Sequence, residues 1–201
     1  MIETKNIVQK PPVNTAEYRR VVRAYAQAKN GQIFENDGKE CAAIVMATLF
    51  DYSQSIIRIY ANDMNGDIGN IDEYYKSFSN YLFSGKYLNI ILDSDKYAKE
   101  DTKGSKTFEF IKSNRHLKNV SFTKATKEFQ ELVKSYHANN EPIVYFSVGD
   151  NKMFRAETNN ITHRAVCSMN NEVDSEILIK LFDGFFYSTK PIEIHPDIIN
   201  R

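Results

Sequence analysis

Charge of one sign is nowhere in excess: 26 Lys and Arg face 26 Asp and Glu in 201 residues. A dedicated nucleic-acid binder usually shows a basic surplus, because phosphate contacts dominate its affinity. The balance leaves room only for a local basic patch, and "YRRVVR" (18–23) is the densest run. That run reads either as such a patch or as the solvated face of a helix. There are two cysteines, Cys41 and Cys167, and no C-x-x-C pair, which argues against a zinc site or a thioredoxin-like motif. No apolar run reaches the roughly 18 residues of a membrane-spanning helix. The opening "MIETKNIVQKPPVNT" has no apolar centre, so neither a signal nor a transit peptide is predicted. These absences predict a soluble protein of the reducing cytoplasm with no membrane partner. Tryptophan is missing while Ile, Lys, Asn and Tyr abound, a bias common in AT-rich genomes that points to a bacterial or phage source.

The chain is long enough for one substantial core. Two helices are predicted first. "NTAEYRRVVRAYAQAKNG" has Asn14 or Thr15 to cap it and Gly31 to stop it. "GKECAAIVMATLFDYS" has a nearly all-apolar middle and should be deeply buried. Short β-branched runs then alternate with amphipathic ones: strands at 55–61, 87–93, 117–123 and 142–149, and helices at 70–85, 103–114 and 124–139. This order predicts an α/β fold with a largely parallel or mixed sheet of about six to seven strands flanked by helices. "GDN" signals a hairpin after Gly149. "KMFRAET" and "HRAVCSM" add two strands, and "NEVDSEILIKLFDGFFYSTK" is a last helix with Val173, Ile177, Leu178, Leu181, Phe182, Phe185 and Phe186 inward. The predicted division is a lead-in and helical pair over 1–54, an α/β domain over 55–188 and a tail over 189–201.

The hairpin region resembles the end of a phospholipase D-like half-domain. In that family a strand carries His-x-Lys, an Asp follows after four more residues, and a hairpin, Gly-Ser-x-Asn and an aromatic-rich helix come next. Here Asp150 stands at the turn after "IVYFSVG", "CSMN" (167–170) is similar to Gly-Ser-x-Asn with Cys167 for the Gly, and "LIKLFDGFF" (178–186) is similar to the closing helix. The resemblance covers roughly residues 55–188. It implies a phospholipase D-like sandwich, and a second copy in a homodimer to complete the site. Counting back from Asp150 puts the family Lys at Tyr145 and the family nucleophile His at Ile143. Isoleucine has no lone pair and tyrosine is neutral near pH 7, so the motif reads as degenerate.

The candidate site residues follow from these strands. Glu157, His163 and Asn170 are the candidates for chemistry, and Asp150, Arg155, Arg164 and Ser168 for binding. Arg155 and Glu157 share a strand face and can pair beside His163. An acid/base or phosphate site and a plain ion pair on a hairpin both remain open, as do turn formation for Asp150 and helix capping for Asn170, with Asn171 as competitor. Asp93 and Asp95 end a strand where ligands of open sheets bind, and could hold Mg²⁺. "ANDMNGDIGN" (61–70) resembles a calcium loop but lacks the required Gly and Glu, so a polar loop is predicted. The expected function is a non-catalytic module that binds a protein partner or nucleic acid, in a bacterial anti-phage or DNA-processing system, with no cofactor. Two alternatives stand beside it: a divergent phosphodiesterase or nuclease using substituted residues or Mg²⁺, and a small-molecule sensor built on loops 62–70 and 93–103.

Overall fold

The structure is a computed structural model that describes residues 14–64, 66–94, 105–114 and 117–189. The lead-in 1–13, the predicted tail from 190 onward, Asp95 and most of the 93–103 loop lie outside the described residues.

Helix α1 (Thr15–Gln27) begins where the Asn14 side chain accepts the Ala16 N–H at 2.9 Å, which selects Asn14 over Thr15 as the cap. Helix α2 (Lys39–Tyr52) is buried without a break from Cys41 to Phe50, as its apolar middle requires. Strands β2 (Ile56–Ala61), β3 (Tyr87–Leu92) and β4 (Val120–Lys124) run parallel, joined by α3 (Asp72–Phe83) and α4 (Lys106–Ser113). Helix α5 (Lys127–Lys134) leads to β7 (Tyr145–Gly149), which returns antiparallel to β2. Strands β8 (Met153–Asn159) and β9 (Arg164–Ser168) extend the sheet as a meander, and α6 (Glu172–Phe186) closes the fold.

The sheet has seven strands in the order β1-β9-β8-β7-β2-β3-β4, counting β1 (Ile33–Asn36). Strand β1 was not predicted. It is four residues long, and among the described residues its strand neighbour is β9, some 130 positions away, through Phe34↔Cys167 and Asn36↔Ala165. Nothing local marks so short an edge strand. Because of it, residues of the predicted N-terminal segment belong to the same sheet as the rest.

Alternation along the strands sorts the core into two layers. Ile57, Ile59, Leu88 and Ile90 pack with α1 to α4, around Phe50 and Phe78. Tyr60, Ile91, Phe146 and Phe154 pack with α5 and α6, around Phe129 and Phe182. Arg58 reaches α6 and pairs with both Asp183 oxygens at 2.7 and 2.8 Å.

Three sequence expectations need correction. The helix expected over 124–139 stops at Lys134. A small hairpin follows, β5 (His137–Ala138) with β6 (Glu141–Pro142). Its turn residues Asn139 and Asn140 have φ of 52° and 64°, the left-handed pair that a two-residue turn needs. The Asn-Asn dipeptide was a readable turn signal. The inward face of α6 excludes Val173, which is 74% exposed, because the helix buries the stripe of Asp174, Ser175, Leu178, Leu181, Phe182 and Phe186 and Val173 falls on the opposite face. Leu132, on the amphipathic α5, is 48% exposed. Lastly, Asn171 caps α6, its Oδ1 accepting the Asp174 N–H at 3.1 Å. Asn171→Ala should lower stability by about 1 kcal/mol, read as a drop of roughly 2–4 °C in melting temperature at this chain length.

Candidate functional site

Met153, Arg155 and Glu157 alternate along β8 and so face the α1–α4 side, where Met153 joins the core. This puts a charged pair where a core residue would otherwise sit. Arg155 is 5% exposed and Glu157 6%. Burying two charges is tolerable only if they are paired and further hydrogen-bonded, and both conditions hold. Arg155 Nη2 donates to Glu157 Oε1 at 3.2 Å and to the His163 carbonyl at 3.0 Å, and Arg155 Nε donates to Asn36 Oδ1 at 3.1 Å. The Asn36 amide also donates to the His163 carbonyl, at 2.6 Å.

The loop between β8 and β9 delivers the histidine. Asn159 accepts the Ile161 and Thr162 N–H groups, tightening the turn. His163 then takes φ of 57°, a left-handed conformation uncommon for a non-glycine residue. The two hydrogen bonds on its carbonyl hold it there. Its ring Nδ1 lies 3.1 Å from Glu157 Oε1. Burial by itself would raise the Glu157 carboxyl pKa, but the Arg155 charge and the hydrogen bonds from His163 and Arg155 outweigh it. Glu157 is held below the usual carboxylate range.

These groups border a cavity of about 230 Å³ at the carboxyl end of β2 and the loop that follows it, the usual ligand position in open α/β sheets. Met46, Ile59, Ile68 and the Tyr74 ring supply apolar lining; Asn62, Asp63, Tyr145, Arg155, Glu157, Asn160 and His163 supply polar lining. Among the sequence candidates, then, Arg155, Glu157 and His163 converge. Tyr74, Asn160 and Asn36 were not singled out. Asn160 had a readable signal, since it directly follows β8 in "ETNN". Asn36 had none, because it enters through the unpredicted β1.

The other candidates lie elsewhere. Register explains Ser168 and Asn170. Tyr145 pairs with Glu157 at one end of the β7–β8 ladder, while Ser168 pairs with Phe154 near the opposite end, beside Gly149 and Asp150. "CSMN" does not line the cavity, and the carboxylates around Tyr145 are Asp93, Glu157 and Asp63. Ser168 is buried, and the Asn170 amide donates to the Lys29 carbonyl at 2.9 Å. Arg164 pairs with Glu141 on the small hairpin. Asp150 receives the backbone N–H groups of Gln54, Ser55 and Ile56 at 2.8, 2.9 and 3.2 Å, and the Ser55 hydroxyl at 2.9 Å. It ties the β7–β8 turn to the start of β2. Asp93 accepts the Tyr60 hydroxyl at 2.6 Å, and its predicted partner Asp95 lies outside the described residues. Among the described residues, no group of three or more His, Cys, Asp or Glu is placed to hold a metal, and no helix is long and apolar enough to cross a membrane.

No family model and no curated protein matches the sequence. Solved structures do match. Nuc from Salmonella typhimurium, a phospholipase D family member, is 11% identical over 81% of this chain and 99% of its own, with a TM-score of 0.52. NucT from Helicobacter pylori is 11% identical over 78% of this chain and 98% of its own, with a TM-score of 0.51. An archaeal chromatin protein that shows a novel mode of DNA binding is 12% identical over 80% of this chain, at a TM-score of 0.49; this chain spans about half, 53%, of that protein's length. The mixed seven-stranded sheet, the helices on both faces and the likenesses to Nuc and NucT agree: this chain has a phospholipase D-like fold.

Proposed function

We propose that this chain is a non-catalytic phospholipase D-like module that acts by binding a protein partner, with a second copy of itself as the first candidate. The observation that carries this reading is the content of positions 143 and 145, where the resemblance puts nucleophile and phosphate-binding cation. Ile143 is fully buried. Tyr145 is a neutral phenol, and burial, then the carboxylates of Asp93, Glu157 and Asp63, push its pKa further up. Ile143 cannot attack phosphorus, and Tyr145, a phenol held in its neutral form, cannot balance phosphate charge as the family lysine does. The arginines favour a protein partner over nucleic acid. Arg19, Arg20, Arg23, Arg58, Arg155 and Arg164 all carry a carboxylate partner. The five other described arginines are thus already paired, and Arg155 is buried away from any surface a nucleic acid could reach. A bacterial anti-phage or DNA-processing system is the setting we propose for such a module.

One geometric observation favours a second reading, a divergent phosphodiesterase. Glu157 on His163 Nδ1 is the arrangement that leaves Nε2 to act as base or nucleophile. A version with Mg²⁺ on Asp93 and Asp95 belongs to the same reading. One assay separates the two. A generic phosphodiester and labelled single- and double-stranded DNA and RNA are incubated with the protein, with and without Mg²⁺ or Mn²⁺. His163→Ala and the Asp93→Asn/Asp95→Asn double variant run alongside. The non-catalytic reading expects one common background rate. Turnover by the parent chain that disappears in either variant establishes the phosphodiesterase instead.

A further inference from the structure

The Arg155–Glu157 pair is not used up by its partners. Arg155 donates through Nε and Nη2 only, and Glu157 accepts twice through Oε1 only. Among the described residues nothing bonds to Arg155 Nη1 or Glu157 Oε2. The sealed-in polar side-chain atoms without a partner are Arg23 Nε, Ser53 Oγ and Ser175 Oγ. Nη1 and Oε2 are not among them, so both meet open space, and the space their side chains line is the cavity. Two side chains more than nine-tenths buried thus offer a cationic donor and an anionic acceptor side by side.

We infer that this cavity binds a small zwitterion with an apolar body, of the size and charge pattern of an apolar α-amino acid, its carboxylate on Arg155 and its ammonium on Glu157. The inference goes beyond the protein-binding role and rests on that reading only in that the Glu157–His163 pair does not hydrolyse a substrate. A lone anion meets the carboxylates of Glu157 and Asp63, and a lone cation leaves Arg155 Nη1 without an acceptor. A purely apolar ligand strips water from both groups and returns nothing. Only a ligand with both charges satisfies both atoms through charge-assisted bonds. Met46, Ile59, Ile68 and Tyr74 suit an apolar side chain. At about 230 Å³ the space lies below the roughly 300–1,000 Å³ typical of drug-sized ligands, which limits the guest to a small molecule.

The test is calorimetric titration of the full chain with L-leucine, L-isoleucine, L-methionine and L-phenylalanine. Phenethylamine and phenylpropionate serve as analogues that keep one charge each. The expected result is saturable binding of at least one amino acid, with the one-charge analogues weaker by roughly tenfold or more. Glu157→Gln should weaken the amino acid by a similar factor and leave phenylpropionate no weaker. Since that variant disturbs a buried pair, Ile68→Trp provides a second check. It fills the cavity from a half-buried position in the 3-10 turn Asp67–Asn70 and leaves the pair intact, so it should abolish binding while the circular dichroism stays native. Failure of all four amino acids to bind, or unchanged binding in Ile68→Trp, overturns the inference. If nothing binds and no phosphodiester turns over, the inference alone falls. If turnover depends on His163, the non-catalytic reading falls first, whatever the titrations show.

Discussion

Arg155→Met should destabilise the protein by about 3–5 kcal/mol, the range for removing one member of a buried ion pair. At this chain length that is a fall of roughly 6–20 °C in melting temperature. Methionine fills most of the arginine's volume, so the loss is electrostatic rather than steric. It leaves Glu157 buried without its cation and removes donors from Asn36 and the His163 carbonyl. The pH profile identifies the cause. In the parent chain the folded pKa of Glu157 is depressed. Its contribution is therefore present above the ordinary carboxylate pKa and lost as pH falls through the folded value. In Arg155→Met, burial is left as the dominant influence, and the folded pKa should rise above the ordinary value. The variant should then gain stability as pH falls from neutral towards the ordinary carboxylate range, where the parent chain shows no such gain. Thermal melts of both proteins across that interval check it. Parallel profiles would mean that lost packing, not an orphaned carboxylate, accounts for the destabilisation.

Asp150→Ala should cost about 2–3 kcal/mol, or roughly 4–12 °C. Hydrogen bonds to a charged group contribute about 1.5–3 kcal/mol each, discounted here because the 54–56 segment is partly open to solvent. One carboxylate satisfies three consecutive backbone donors and a hydroxyl, and these groups begin β2, an interior strand between β7 and β3. The backbone adds to the effect, since Asp150 has φ of 52°, which Asp and Asn tolerate and Ala does not. Asp150→Asn should therefore be milder. Burial alone would raise the Asp150 pKa, but the N–H donors of Gln54, Ser55 and Ile56 with the Ser55 hydroxyl hold it below its ordinary value. A depressed pKa contributes stability above the ordinary value and loses it in acid. Denaturant melts should show the gap between the parent chain and Asp150→Asn closing as pH falls through the carboxylate range. A gap constant with pH would mean that the charge of Asp150 does not matter, only its shape.

Local chemistry alone determined much of this protein. The apolar stripe of α2, the alternating β-branched runs of β2 and β3, the Gly-Asp-Asn turn and the final aromatic helix are each written within about one element's length. The phospholipase D-like fold was legible from them. The pairing of Arg155 with Glu157 was legible too, because two residues apart on a strand means one shared face.

Tertiary structure decided the rest, through strand register and through contacts between distant residues. A period-two pattern says which face a side chain takes but not which strand lies beside it. β1 became a strand only because β9 offers it an edge, and with it came Asn36 as the partner of Arg155. Register also carried Ser168 to the Asp150 end of the sheet and Glu157 to the Tyr145 end, so two polar motifs of equal promise in the sequence received different roles. The left-handed turn at His163 aims its carbonyl and ring back at a pair that no spacing rule connects to it. The sequence by itself thus determined the elements and the residues able to do chemistry. The long-range pairing of β1, β8 and β9 decided which of them meet at the cavity.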